Sequence, residues 1–161
     1  MFFNTESLLI DHGSLHLKIG LSTDSRPKIQ IPSVIAKSEY TREPEVNANE
    51  TSYGHSMFDH LIEFGDVVDF KRVFGLYDKV FKESSISLEE TIIFICQNLK
   101  LKSKNQDQRI LENFFERLNT RVVGLAPQTV LTLFGVGLTS GTVVDLGYGT
   151  TQVAPIVNGF I

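Results

Sequence analysis

The chain has 161 residues, 42% of them hydrophobic and 21% charged, an ordinary globular balance with room for one sizeable core. A formal net charge of −4 and an isoelectric point near 5.5 supply no basic stripe for nucleic acid, and no apolar run approaches the length of a membrane span. The single cysteine, Cys96, cannot form an internal disulfide, and Met1 to Glu6 has neither the basic start nor the long apolar stretch of a secretory leader, so a soluble protein of a reducing compartment, cytosolic or nuclear, is expected.

Residues 8–35 read as three strands, Leu8–Asp11, His16–Gly20 and Lys28–Ile31. His12-Gly13-Ser14 supplies the first reversal and Asp24-Ser25-Arg26-Pro27 the turn chemistry of the second. Ala36–Tyr53 then changes composition sharply, with many Glu, Asn, Ser and Thr residues and few apolar ones. Such a segment buries little, and a mobile loop is expected. Gly65–Glu83 is the clearest helix, because Val67, Phe70, Val73, Phe74, Tyr77, Val80 and Phe81 recur at steps of three and four between charged residues. Its aromatic stripe reads as core.

Thr91–Cys96 is a short continuous apolar run, the pattern of a strand covered on both faces, which makes Cys96 an inert buried thiol. Lys100–Arg109 is a polar connector and helix entry. Ile110, Leu111, Phe114, Phe115 and Leu118 mark the inner face of a second helix, and Arg121–Leu125 forms the next strand. Ala126-Pro127-Gln128 opens a third helix whose buried face holds Val130, Leu131, Leu133 and Phe134.

Gly141–Phe160 closes the sequence as strand, glycine-bearing turn and strand, with Gly147 and Gly149 suited to positive φ in a tight reversal. Its design repeats the N-terminal stretch: an apolar strand, a terminal aspartate, a glycine turn, a hydroxyl residue and a second apolar strand. Two such hairpins facing one another would bring Asp11 and Asp145 to one cleft, with turn N–H groups forming concavities for phosphate oxygens. Spacing alone reaches two Asp-Gly hairpins suited to phosphate. On that reading Ser14 could equally stabilise its turn, Lys18 could extend into solvent, and Gln128 could hydrogen-bond near its helix N-terminus.

The order LLIDHGSLHLKIG, IPSVI, APQTVLTLFGVG and VVDLGYGTTQVAPIVNGF resembles actin and the actin-related proteins over nearly the whole chain. The resemblance implies an α/β, ribonuclease H-like half-fold with a mixed five-stranded sheet and flanking helices over residues 1–140, followed at 141–161 by the first hairpin of an incomplete second half. Strands near Leu8, His16, Lys28, Thr91, Val122 and Thr142 are expected in one sheet with helices on both faces. The resemblance also implies ATP or ADP with Mg2+ as ligand. Gly13, Ser14, Leu15, Lys18, Gly147, Tyr148, Gly149 and Thr151 would surround the phosphates, Asp11 and Asp145 would hold the metal through water, and Gln128 would orient the attacking water.

Four departures from actin qualify these roles. Leu15 stands where actin has a glycine, Tyr148 where it has an acidic residue and Gln152 where it has a histidine. The insertion at 36–53, which in actin grips the next filament subunit, is shortened. The expectation is therefore a structural subunit of a cytoskeletal, dynactin-like or other multiprotein complex, with nucleotide bound weakly and hydrolysed slowly, at most a weak ATPase, and no long homopolymer. The partners expected are other actin-like or complex subunits, with no direct nucleic-acid or membrane contact, in the cytoplasm or the nucleus. A chromatin-remodelling relative and an ATP-hydrolysing or phosphotransferase member of the wider actin, sugar-kinase and heat-shock group are the alternatives. Because the family continues beyond this point, the sequence reads as a fragment or a short form.

Overall fold

In the computed structural model, residues 6–36, 58–84, 86–89, 91–99 and 105–161 are described. Apart from Ala36, the loop expected over 36–53 lies outside them, as does the first half of the connector at 100–109.

The chain opens as an antiparallel meander of β1 (Ser7–His12), β2 (His16–Leu21) and β3 (Ile29–Pro32). Alternation decides its faces: Leu8 and Ile10 on β1 and Leu17 and Ile19 on β2 are buried, while Leu9 is 40% exposed. The register pairs Asp11 directly with Lys18, so the two opposite charges meet across the strands. Four short strands follow. β4 (Val34–Ala36) pairs with β5 (Phe58–His60), and β6 (Ile62–Glu63) pairs with β7 (Asp66–Val67).

Helix α1 spans Phe70–Ser84, five residues later than the periodicity predicts at its start. Phe64 and Gly65 take positive φ angles of 49° and 75° and turn β6 into β7, which a helix cannot accommodate. Asp69 then caps the helix, its Oδ1 accepting the Arg72 N–H at 3.1 Å. Phe70, Val73, Phe74, Leu76, Tyr77, Val80 and Phe81 are buried, each contributing roughly 1.5–3 kcal/mol by leaving water.

Strand β8 (Ile92–Gln97) pairs in parallel with β1, and β9 (Val122–Pro127) in parallel with β8. The result is a mixed five-stranded sheet ordered β3-β2-β1-β8-β9. Between its last two strands lies α2 (Gln106–Glu112), which widens into a π-helical turn at Asn113–Arg117. The extra residue in that turn rotates Phe114 and Leu118 into the core and leaves Phe115 42% exposed, so Phe115 does not belong to the inner face expected of it. The main core joins the buried face of the sheet to α1, Phe114 and Leu118. Phe94 on the other face of β8 is 39% exposed, so the run at 91–96 is covered fully on one side only.

The reason lies in α3 (Gln128–Gly135). Its buried Val130 and Leu133 pack with Val143, Ala154 and Ile156 in a second, smaller cluster instead of blanketing β8, and Phe134 is 48% exposed rather than buried. The partners in that cluster come from β10 (Gly141–Leu146) and β11 (Thr151–Ile156). Among the described residues these two strands pair only with each other, which corrects the expectation that the strand near Thr142 joins the main sheet.

Candidate nucleotide cleft

The parallel register puts Asp11 beside Cys96, and Cys96 beside Ala126, at the carboxyl ends of β1, β8 and β9. That edge is where open α/β sheets place ligands. Lys18 Nζ lies 3.1 Å from Asp11 Oδ2, and with 41% and 29% of their side chains exposed the pair is worth at most about 1 kcal/mol. An incoming phosphate could therefore take over the lysine. Asp11, Asn98 and Gln128 also line a cavity of about 70 Å3 that extends under α1 and α2 to Val73, Phe74 and Phe114. The Gln128 carboxamide makes no hydrogen bond to another described residue, so it remains able to hold a water there.

Around the first turn the backbone is fixed from below. The Gly13 N–H donates to the His16 carbonyl at 3.0 Å and the Ser33 N–H to the Leu15 carbonyl at 2.8 Å. Ser33 is fully buried, and its Oγ shares a 2.9 Å hydrogen bond with His12 Nε2, while His12 Nδ1 shares another of 2.9 Å with the Tyr77 hydroxyl. Burial pulls the His12 pKa down to about 3, so the imidazole under the turn is neutral. Burial, reinforced by the Asp11 charge, pushes the Tyr77 phenol upward, and the same two causes raise the Cys96 thiol to about 11. Cys96 is thus the unreactive thiol its surroundings imply.

The second turn comes directly against the first. A Cβ built on Gly149 would stand 2.9 Å from Ser14 Cβ, nearer still to Ser14 Oγ, and 3.8 Å from the Phe64 nitrogen. At Gly147 a Cβ would meet the Thr150 carbonyl oxygen at 2.9 Å. Neither Gly147 nor Gly149 has a positive φ, which corrects the reason for their presence: close approach requires them, not a left-handed backbone. Tyr148 projects from the tip, 60% exposed, with its ring 5.7 Å from that of His60. His60 Nδ1–H donates to the Ser14 carbonyl at 3.3 Å.

Asp145 reaches the same neighbourhood through Gln152. Gln152 Nε2 lies 3.4 Å from Asp145 Oδ2 and donates to Asn98 Oδ1 at 3.0 Å, and Asn98 shares the cavity wall with Asp11 and Gln128. Thr151 starts β11 exposed, opposite Leu146, and it is the preceding Thr150 whose hydroxyl accepts from Asn98. Ser14 thus meets Gly149 and Lys18 meets Asp11, while Asp11 and Gln128 share one cavity wall with Asn98, which Gln152 connects to Asp145. Sequence reading gave no role to His60 and Asn98, which lie in no quoted motif, or to Ser33, which lies within IPSVI, and took Gln152 only as a departure.

The donor set suits a nucleotide phosphate and a hard cation: one lysine, two carboxylates, and turns so close that a side chain at 149 would fill the space between them. Among the described residues no group of three or more His, Cys, Asp or Glu side chains could ligate a metal directly.

A five-stranded mixed sheet with flanking helices, a glycine-bearing turn on β1–β2 and a second such turn against it has the architecture of an actin-like ATPase half-fold. The sequence model of the actin family matches residues 3–161, and the chain belongs to that family. Among its relatives, Actin-like protein 7A of Mus musculus is 28% identical over 166 residues, covering 97% of this chain and 38% of the relative. Actin-like protein 7B of Mus musculus is 26% identical over 164 residues, covering 96% of this chain and 39% of the relative, and Actin-like protein 7A of Homo sapiens is 28% identical with 97% and 38% covered. The chain thus spans less than two-fifths of the length of these relatives.

Proposed function

We propose that this chain forms the phosphate-binding portion of an actin-related protein that acts as a structural subunit of a multiprotein assembly of the cytoskeletal, dynactin-like kind. It binds ATP or ADP with Mg2+ and turns it over slowly. The observation that carries this is the contact of Ser14 with Gly149, which sets two hairpin turns face to face at the carboxyl edge of the sheet. In this reading Lys18 and the turn amides around Gly13, Ser14, Leu15, Gly147 and Gly149 receive the phosphate oxygens. Asp11 and Asp145 hold the hydrated cation, whose charge offsets that of the terminal phosphates.

Slow turnover follows from what the neighbouring residues do. Gln128, whose carboxamide makes no hydrogen bond to another described residue, orients the water, but a water also needs somewhere to pass its proton. Tyr148 offers no carboxylate, and the Gln152 carboxamide is tied up in hydrogen bonds. Assembly would rest on partner subunits, not on self-polymerisation, because the polar segment at 36–53 is short for a filament grip. Among the described residues no helix is long and apolar enough to cross a membrane.

The test is sedimentation of the purified protein with ATP and Mg2+, followed in parallel by phosphate release. The expected result is a non-pelleting protein with phosphate release far slower than one turnover per minute. Extended polymers or rapid multiple turnover would overturn the proposal.

A further inference from the structure

Gln152 is the second residue of β11, paired with Asp145, and only 7% exposed. A carboxamide carries one acceptor oxygen and two N–H donors, and burial demands partners for them. Here they are met from outside the hairpin. Gln152 Oε1 accepts the Leu99 N–H at 2.6 Å, and Nε2 donates to Asn98 Oδ1 at 3.0 Å while lying 3.4 Å from Asp145 Oδ2. Asn98 Nδ2 in turn donates to Thr150 Oγ1 at 3.3 Å. Asn98 and Leu99 directly follow β8, so these bonds fasten the second hairpin to the end of the main sheet.

A second bridge spans the cleft through the tips of the turns. The Tyr148 ring rests against His60, and His60 donates to the Ser14 carbonyl. Both bridges are made by protein groups. A neutral imidazole at 152 has one donor and one acceptor, so it could not accept from Leu99 and also donate to both Asn98 and Asp145. The chemistry of glutamine, not its size, fits this position.

We infer that Gln152 is a positioning residue whose carboxamide locks the β10–β11 hairpin to the end of β8 and orients Asp145, so that the cleft is closed before any nucleotide arrives. The consequence for ligand binding rests on the reading of the cleft as a nucleotide site; the lock itself is a property of the protein alone. Nucleotide then meets turns already in place and adds little further closure.

Backbone amide hydrogen exchange on the intact chain, with and without ATP and Mg2+, tests this. In the unliganded wild type the amides of β10 and β11 should be protected, and MgATP should change their rates by less than about threefold. Gln152→Leu, which keeps the volume but loses every bond, should speed exchange in β10 and β11 by about tenfold or more while β1 and β2 hold their protection. Gln152→His should fall between. If Gln152→Leu does not fold, Tyr148→Ala at the exposed bridge should speed β10–β11 exchange by about threefold. Exchange in β10 and β11 at free-chain rates in the unliganded wild type, or rates unmoved by Gln152→Leu, would overturn the lock. Absence of MgATP binding in a separate titration would overturn the nucleotide reading and leave the unliganded comparison standing.

Discussion

His12 sits directly after Asp11, at the end of β1, yet it faces inward to Tyr77 and Ser33, and its work is to hold the turn from beneath. A ring kept neutral by burial has a pH signature. Its pKa is about 3 in the folded protein against 6.5 in the unfolded chain, so between those values the unfolded state binds a proton that the folded state does not. The His12 contribution is complete above pH 6.5 and is lost as pH falls toward 3, at up to about 1.4 kcal/mol per pH unit. Urea midpoints measured from pH 7 to pH 5 should therefore fall more steeply in the wild type than in His12→Asn, which cannot titrate. Equal slopes would show that the ring is not held neutral. The Asp-Gly spacing at residues 11–13 was plain in the sequence. The network below it was not, because Ser33 and Tyr77 reach His12 from 21 and 65 residues away.

At the scale of elements, the strands β1, β2 and β8 and the three-to-four spacing from Phe70 to Phe81 were legible as local apolar patterns, whereas the one-sided covering of β8 was not, because its apolar run is continuous. Where two local signals compete, the pattern misleads. Val67 fits the α1 stripe, but the turn at Phe64 and Gly65 pairs it back onto Ile62. Phe115 fits the α2 stripe until the π-helical turn rotates it outward. The helix α3 carries a testable flaw of its own: Thr129 is fully buried and its Oγ1 has no hydrogen-bond partner among the described residues. Replacing that hydroxyl by a methyl removes an unmet polar group, so Thr129→Val should raise the unfolding free energy by about 1 kcal/mol. A fall in stability by denaturant titration would mean that the hydroxyl has a partner in the folded protein.

For the whole molecule, the arrangement of two hairpins across one edge of a sheet is what joins sequence to function. The repeat of strand, aspartate, glycine and hydroxyl residue indicated a pair of turns, and family resemblance indicated that they face each other. What the residues could not disclose is how they are brought together, since the contacts of Gln152 with Asn98 and Leu99 and of Tyr148 with His60 depend on tertiary placement alone. The central claim is that this junction receives a nucleotide. Calorimetric titration of the intact chain with ATP and Mg2+, beside Gly149→Val, tests it most directly. The account predicts saturable binding heat at or below millimolar ATP in the wild type and affinity weaker by about tenfold or more in the variant, whose side chain would occupy the space against Ser14. No binding heat at millimolar ATP, or equal affinity in the two proteins, would contradict it.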